Sequence, residues 1–452
     1  MTRERRSCPA LMVGAAASGQ GKTSVAAALA RLHAREGRQV RVFKCGPDFL
    51  DPGWLALASG APVHSLDLWM TGEADCAARL GEAAGAADLL IVEGVMGLFD
   101  GDPSSADLAQ RFGLPVLAVI DASAMAGTFG AVAFGLQHFR SGLRWAGVLA
   151  NRVGGERHAD MLRDALFDPA HWLGALPRDA AFALPERHLG LVAAAESDDA
   201  LQRIDALADA LAQTPLGQMR TADLRRWEVE FDAPAPAVVE ARRPGTTPLR
   251  GKTVAVARDA AFCFIYPANL ECLISLGAQL VFFSPMDDAG LPDCDAVWLP
   301  GGYPELHAAR LAANHGLRDS LREHVRQGRA VWAECGGMMA LFEQLRSADG
   351  EVHALWGLLP GRVEMQPRLV ALGPQQLLLG GEPLRGHTFH HSTCHTPLQV
   401  KNRTMQPGQG QAVGRGEAFY AEGSLRASYF HGWFPSSPGA VAQLFSAAGE
   451  AP

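Results

Sequence analysis

The sequence predicts an α/β protein of two domains, each built on a mostly parallel sheet. Three observations carry that expectation. Short aliphatic runs alternate with helical patterns along both halves of the chain, the order that yields parallel strands with helices on both faces. A stretch from 213 to 250 has a different composition, with Pro234, Pro236, Pro244 and Pro248 among Ala, Thr and Arg, and reads as an extended linker. In both halves the residues that carry chemistry fall just after an aliphatic run, at the carboxyl ends of strands, where such sheets bind ligands. A chain of 452 residues is also too long for one hydrophobic core. The expected division is a first domain over 1–212, a linker over 213–250 and a second domain over 251–452.

Hydrophobic residues make up 48% of the chain and charged residues 19%, the balance of a soluble globular protein. Forty basic against 48 acidic residues leave a formal charge of −8, which argues against a general nucleic-acid binder but leaves room for a local basic pocket. Eight cysteines without a Cys-x-x-Cys pair do not suggest a disulfide or zinc framework, so a reducing cytoplasm is the expected compartment. Thr2–Arg6 followed by Ala10–Ala17 imitates a secretory signal, but the Gly-Lys-Thr directly after it favours a core strand. Leu114–Leu136 is long enough to span a bilayer, yet Asp121 lies inside it. A buried strand over 115–120 running into a loop and an Ala/Gly-rich helix fits better.

In the first half, strands are expected at 10–14, 40–44, 88–93, 115–120 and 146–150, with a shorter one near 171–174. Helices fit 22–36, where Val25, Leu29 and Leu32 recur at helical spacing, and 72–85, which is Ala-rich and amphipathic. The loop after the first strand reads Ala16-Ala-Ser-Gly-Gln-Gly-Lys-Thr23. Gly19 and Gly21 let backbone N–H groups close on phosphate oxygens at a helix N-terminus. Lys22 would reach the β- and γ-phosphates of ATP, and the Thr23 hydroxyl would face Mg²⁺. The loop is a variant, because Ala16 stands where the strict pattern has Gly six residues before the Lys.

The second strand leads into Lys44-Cys-Gly-Pro-Asp-Phe-Leu-Asp51, and the third into Glu93-Gly-Val-Met-Gly-Leu-Phe-Asp-Gly101. A carboxylate directly after an aliphatic run is where a Mg²⁺ ligand sits beside a phosphate loop. Either loop alone is ordinary turn chemistry. Two of them after consecutive strands point to metal and phosphate chemistry, with Asp48 and Glu93 joining Thr23 as metal candidates. Asn151, after the fifth strand, can both donate to and accept from an adenine edge, although a plain turn Asn explains it equally well.

In the second half, strands are expected at 253–257, 279–284, 295–299 and 330–333, and helices at 267–276 and 306–327. Val331-Trp-Ala-Glu-Cys-Gly-Gly-Met338 runs a strand into Cys335 and two glycines, a nucleophile elbow with sulfur in place of hydroxyl. The turn exposes the thiol and the helix start favours thiolate. Gly336, and Gly302 of Leu299-Pro-Gly-Gly-Tyr-Pro-Glu305, would offer N–H groups to a developing oxyanion. A buried structural cysteine is the bland alternative. The base must come from elsewhere, and His431 in Ala427-Ser-Tyr-Phe-His-Gly-Trp-Phe434 ends a short apolar strand. The run Gly386-His-Thr-Phe-His-His-Ser-Thr-Cys-His395 matches no familiar zinc spacing, and strand alternation would separate His387 and His391 from His390. Substrate contact or an edge strand explains it better than a structural metal.

Together these pieces resemble the cobyrinic acid and hydrogenobyrinic acid a,c-diamide synthases of cobalamin biosynthesis, over nearly the whole chain. The resemblance rests on the four motifs at 16–23, 44–48, 93–101 and 187–191, the last reading Arg187-His-Leu-Gly-Leu191. It also rests on Ala257-Arg-Asp-Ala-Ala-Phe-Cys-Phe264 with Tyr266 and Asn269, on Leu299–Glu305, on Glu334-Cys-Gly-Gly337 and on Gly386-His-Thr-Phe-His390. It implies an N-terminal domain similar to dethiobiotin synthetase and a C-terminal class I glutamine amidotransferase-like domain. It implies a cytoplasmic carbon–nitrogen ligase in which ATP and Mg²⁺ activate a corrinoid carboxylate as an acyl phosphate. Glutamine is then hydrolysed at Cys335, with His431 raising its nucleophilicity, and the ammonia attacks the acyl phosphate. By the same resemblance Lys22 and Thr23 hold phosphate and Mg²⁺, Asp48 and Glu93 are metal or phosphate-site carboxylates, and Asp100 positions the substrate carboxylate. A polyanionic corrinoid needs cations, for which Arg258 is a candidate and an exposed surface Arg the equal alternative.

Two departures from the family pattern stand out. Trp433 occupies the place where class I amidotransferases carry Glu, two residues after the His, so the third member of the Cys-His site is unassigned. Thr388 and His391 depart from Gly-His-Glu-Phe-His-Tyr. A path for ammonia between the Cys335 elbow and the phosphate loop is expected, and no role for nucleic acid or membrane. The sequence leaves open the oligomer, a homodimer included, and whether the corrin carries cobalt. The related cobyric acid synthase, which amidates other side chains, is the nearest rival. A P-loop ATPase switch with a dead second half is the other; the lack of a second loop lysine, at Ala17, and the intact Cys335/His431 pair argue against it.

Overall fold

The computed structural model describes residues 4–187, 190–191, 194–234, 247–408 and 416–446. The chain divides into two compact units, Met1–Val239 and Glu240–Pro452.

The first unit is organised on β1 (Arg5–Ala15). Around it lie β2 (Val40–Cys45), β3 (His64–Leu66), β4 (Leu89–Glu93), β5 (Val116–Asp121), β6 (Trp145–Val153) and β7 (Trp172–Pro177), in the order β3-β2-β4-β1-β5-β6-β7. These pairings are parallel. Strands buried on both faces must be apolar throughout, and β4 reads Leu-Leu-Ile-Val before its terminal Glu93, all buried. Alternation along β1 divides the core in two. Leu11 and Val13 pack with Val25 and Leu29 of α1 (Lys22–Arg35) on one face, while Ala10 and Met12 pack with Val92 and Ile120 on the other. The bilayer-length stretch 114–136 resolves into β5, a loop and the helix Thr128–His138. No described helix is long and apolar enough to cross a membrane.

The stretch expected to be linker is folded for more than half its length. Glu228–Asp232 forms a strand antiparallel to Arg5–Pro9, and Leu224, Trp227, Val229 and Phe231 are buried. The alternation of Glu228, Glu230 and Asp232 outward with Val229 and Phe231 inward is a half-buried strand signal, masked in the sequence by the prolines that follow it. Residues 235–246 lie outside the described residues.

The second unit carries a seven-stranded sheet in the order Gln279–Phe283, Thr253–Ala257, Ala296–Leu299, Ala330–Glu334, Leu425–Ser428, Ala418–Glu422, Asn402–Arg403. The first five strands are parallel and the last two antiparallel. The single helix expected over 306–327 is two, Ala308–Ala313 and His315–Arg326. Asn314 breaks it, leaving helical geometry and capping the second helix by accepting the Leu317 N–H (3.2 Å). A small antiparallel sheet of Ala371–Leu379, Glu382–His390 and His431–Gly432 sets the His-rich strand beside the end of Leu425–Ser428, with His387 opposite His431.

Candidate active sites

In the first unit, β1 ends in the loop 16–21, and α1 starts at Lys22. Gly19 and Gly21 take positive φ of 76° and 95°, which bends the loop's backbone back over the helix start. A side chain at Gly21 would also collide with the Asn151 amide, 2.2 Å from its first carbon. Asn151 Nδ2 donates to the Gln20 carbonyl (2.9 Å). One hydrogen of that amide therefore braces the loop, while Asn151 also lines the cavity beside it. Lys22 Nζ donates to the carbonyls of Ala17 (3.1 Å) and Met96 (2.6 Å), tying the loop to the β4 loop.

The carboxyl ends of β1, β2 and β4 bring five polar side chains together. Thr23 Oγ1 donates to Glu93 Oε1 (2.6 Å). Lys44, at the end of β2 and fully buried, donates to Asp51 Oδ2 (2.6 Å) and lies 3.1 Å from Glu93 and 3.9 Å from Asp48. Burial alone would strip the Lys44 proton, but Glu93, Asp51 and Asp48 outweigh it and hold the ammonium. Burial pushes Asp48 and Glu93 up, with Asp51 adding to both, while Lys44 outweighs burial at Asp51 and holds it down. For Lys22, burial and then the neighbouring Lys44 charge lower the pKa. These residues line a cavity of about 890 Å³ that also touches Gly19, Gly21, Asn151 and Leu184.

This donor set fits Mg²⁺. Glu93 Oε2 is buried without a hydrogen-bond partner, and the Thr23 hydroxyl lies on the same carboxylate. Among the described residues no three His, Cys, Asp or Glu side chains form a cluster that could hold a metal by themselves. Mg²⁺ takes one or two protein carboxylates and completes its shell with phosphate oxygens and water, which the free Glu93 oxygen beside the Thr23 hydroxyl would suit.

In the second unit, the parallel pair Ala330–Glu334 and Leu425–Ser428 delivers Cys335 and His431 from neighbouring strand ends. Glu334 pairs with Ser428, and the Cys335 N–H donates to the Ser428 carbonyl (2.8 Å). Cys335 adopts φ 45°, ψ −106°, a strained conformation for a non-glycine residue and the sharp turn expected of an elbow. Glycine is needed on its far side: a methyl group at Gly336 would sit 2.9 Å from the Gly302 N and O, and one at Gly337 would sit 2.1 Å from the Leu299 carbonyl. The elbow is thereby pressed against the 301–302 turn, the arrangement in which Gly302 and Gly336 N–H groups can converge. Burial pushes the Cys335 thiol up, with Glu305 adding to it, while the Gly336 N–H opposes both. His431 is buried and its imidazole is held neutral by burial, then by His387 and His390. Its ring stacks on His387 at 5.0 Å and 16° and lies against Gly301.

Two expected site residues make contacts of their own, although the Asp100 charge also acts on Lys22 of the phosphate loop. Asp100 is exposed and spends its carboxylate on the Gly97 N–H (2.9 Å), a turn contact, and it does not line the cavity. Arg258 is exposed and lies over the Phe282 ring at 3.7 Å, a surface cation–π pair. The Arg187–Leu191 motif includes residues 188–189, outside the described residues. Lys44 and Glu334 were not singled out by reading the sequence, and Asp51 only as a carboxylate of the loop after the second strand.

Family models match both halves. A CobQ/CobB/MinD/ParA nucleotide binding domain covers residues 11–192, and a CobB/CobQ-like glutamine amidotransferase domain covers 253–439. The chain is 54% identical to the hydrogenobyrinate a,c-diamide synthase of Pseudomonas aeruginosa, across 100% of both chains. It is 47% identical to the cobyrinate a,c-diamide synthase of Herminiimonas arsenicoxydans, across 99% of this chain and 98% of that one. The chain belongs to the cobyrinate and hydrogenobyrinate a,c-diamide synthase family. In this diamide synthase family member the nucleotide-binding match spans the phosphate loop, Lys44, Asp48, Asp51 and Glu93 together. The amidotransferase match spans Cys335, Gly302 and His431. The signal that would have found Lys44 is its place as the last polar residue of a buried strand, next to the acidic loop already singled out.

Proposed function

We propose that the chain is an ATP- and glutamine-dependent ligase that converts the a and c carboxylates of hydrogenobyrinic or cobyrinic acid to amides, in cobalamin biosynthesis. The observation that carries this reading is the pairing of two half-sites in one chain: a Thr23–Glu93–Lys44 cluster at a phosphate loop, and a Cys335 elbow on a strand paired with the one that leads to His431. A carboxylate is a poor acyl donor, so it needs a phosphate leaving group before nitrogen can attack. The loop N–H groups and Lys22 orient the ATP phosphates, and Lys44 keeps a positive charge beside the acidic groups. Thr23 and Glu93, with Asp48 close by, would hold Mg²⁺, which would supply charge neutralisation for the phosphates. Asp51, ion-paired to Lys44, fixes that ammonium.

In the second unit His431 takes the Cys335 proton as sulfur attacks the glutamine amide carbon. The Gly302 and Gly336 N–H groups receive the oxyanion, His431 returns the proton to the leaving nitrogen so that ammonia departs, and water then releases glutamate from the thioester. Free ammonia is scarce beside ammonium at neutral pH, which is why making it from glutamine in the same chain helps. A cytoplasmic setting belongs to this reading, and the eight unbridged cysteines suit it.

The test supplies purified chain with ATP, Mg²⁺, glutamine and either hydrogenobyrinic or cobyrinic acid, and counts amides by mass. Two added amides are expected. Four would assign the chain to cobyric acid synthesis instead, and none with either acid would sink the proposal.

A further inference from the structure

Trp433 stands two residues after His431, so no carboxylate follows the imidazole at that spacing. What holds the His431 backbone is instead visible around Gly432. Glu334, the residue before the nucleophile, turns into the core on the opposite side of the strand from the elbow and is 1% exposed. Its Oε1 accepts from the Trp332 indole N–H (2.8 Å) and from the Gly432 N–H (3.2 Å). On the other side Asn269, also 1% exposed, closes a two-point clamp. Its Nδ2 donates to the Gly432 carbonyl (2.8 Å), and its Oδ1 accepts the Phe434 N–H (2.9 Å). The Trp433 N–H between them goes to the Arg385 carbonyl (2.7 Å). Three successive N–H groups after His431 are thus fixed, two of them by buried side chains from separate elements, a strand and the helix Pro267–Ser275.

A buried carboxyl is a costly way to satisfy one backbone N–H, since an apolar residue of the same volume is often as stable. What it adds is a fixed position. A strand end two residues long carries little rigidity of its own, and the imidazole it presents must stay within hydrogen-bond reach of a thiol. Glu334 also sits beside Cys335 in sequence, so one strand terminus sets the nucleophile and, through Gly432, the base. Burial pushes the Glu334 carboxyl up to about 8, so at neutral pH it is mostly the uncharged acid, for which an amide is a close replacement.

We propose that Glu334 and Asn269 are positioning residues of the glutaminase site, clamping the backbone around Gly432 so that the His431 imidazole keeps the place from which it takes the Cys335 proton. The inference rests on the reading of Cys335 and His431 as the glutamine-hydrolysing pair.

The test uses the full chain and the variants Glu334→Gln, Glu334→Leu and Asn269→Ala. Glutaminase kcat and KM are measured per folded molecule, with the folded fraction taken from urea unfolding, and kcat/KM is followed against pH. Expected is a loss of kcat in Glu334→Leu of about 100-fold, the scale of a small misplacement of a catalytic group. KM for glutamine should stay within about twofold and the acidic limb of the pH profile should move, while Glu334→Gln stays within about threefold of wild type. Asn269→Ala should act in the same direction, and it carries the test if Glu334→Leu does not fold. The clamp is overturned if Glu334→Leu or Asn269→Ala keeps wild-type kcat. It is also overturned if Glu334→Gln fails as badly as Glu334→Leu, or if lost activity only follows lost folded protein with an unmoved pH limb. A wild-type chain without glutaminase activity would instead remove the Cys335/His431 reading itself, and the clamp with it.

Discussion

Lys44 shows how much of a site hangs on one side chain that composition and motif do not flag. Its ammonium is buried with Asp51 at 2.6 Å and Glu93 at 3.1 Å, and removing it leaves the buried Glu93 and the half-buried Asp51 without their cation. Replacing Lys44 with Met should therefore cost about 3–5 kcal/mol of stability near pH 8. The sign of the pH dependence follows. Without Lys44, burial raises the folded-state pKa of Asp51 and Glu93 above their unfolded values. The folded variant then holds more protons than the unfolded chain, so its stability falls as pH rises through that window and recovers as pH drops. Urea unfolding at pH 8 and pH 6 should show the deficit of Lys44→Met shrinking at pH 6; an equal deficit at both would mean that the carboxylates are not what the lysine neutralises. Lys22, Thr23 and Glu93 were legible because each is fixed by a local rule, a loop spelling or a strand end. Lys44 needs partners 4, 7 and 49 positions away, and only the fold brings these together. Asp100 and Arg258 each lie at a strand-end loop, as the rule asks, but the contacts they make, with the Gly97 N–H and the Phe282 ring, are not written in their positions.

Elements were read well where aliphatic runs are continuous, because strands buried on both faces have no other spelling. The strand Ala371–Leu379 was missed, and Glu382–His390 was read only as one alternative for its His-rich end. Their faces are only partly buried, and they include Pro374 and Pro383. The elbow was legible as an element because its glycines are demanded by contact. Gly337→Ala would place a methyl 2.1 Å from the Leu299 carbonyl oxygen, a backbone atom that cannot swing aside. Forcing room there should cost about 1–3 kcal/mol and shift the Cys335 turn. Glutamine-dependent amidation should then fall at least tenfold while ammonia-dependent amidation, which bypasses Cys335, stays near wild type. Gly135→Ala is the contrasting case. It lies within the exposed face of the helix Thr128–His138 with no neighbour within 4 Å, and should stabilise by about 0.5–1 kcal/mol. Paired assays with glutamine and with ammonium chloride separate the two outcomes; equal activity with both nitrogen donors in Gly337→Ala would show that the elbow tolerates the methyl group.

At the scale of the whole molecule, the sequence places a boundary at 212 where the fold continues for another twenty residues. The clue to that continuation is short, because Val229 and Phe231 make only two inward turns of alternation before the prolines begin. Yet the segment is tied into the unit by both packing and strand pairing. Leu216, Leu224 and Trp227 join one core face, Val229 and Phe231 the other, and five residue pairs tie Arg5–Pro9 to Glu228–Asp232. Each large apolar side chain buried this way contributes about 1.5–3 kcal/mol. Without the segment, the first half of β1 also becomes an open edge with unpaired backbone groups. A fragment ending at residue 234 should therefore unfold in urea as one cooperative transition and retain ammonia- and ATP-dependent amidation. A fragment ending at 212 should lose several kcal/mol, unfold at lower urea and aggregate through the bared edge. Equal midpoints for the two fragments would place the domain boundary at 212 after all, and would make the Glu228–Asp232 strand an ornament of the unit rather than part of its core.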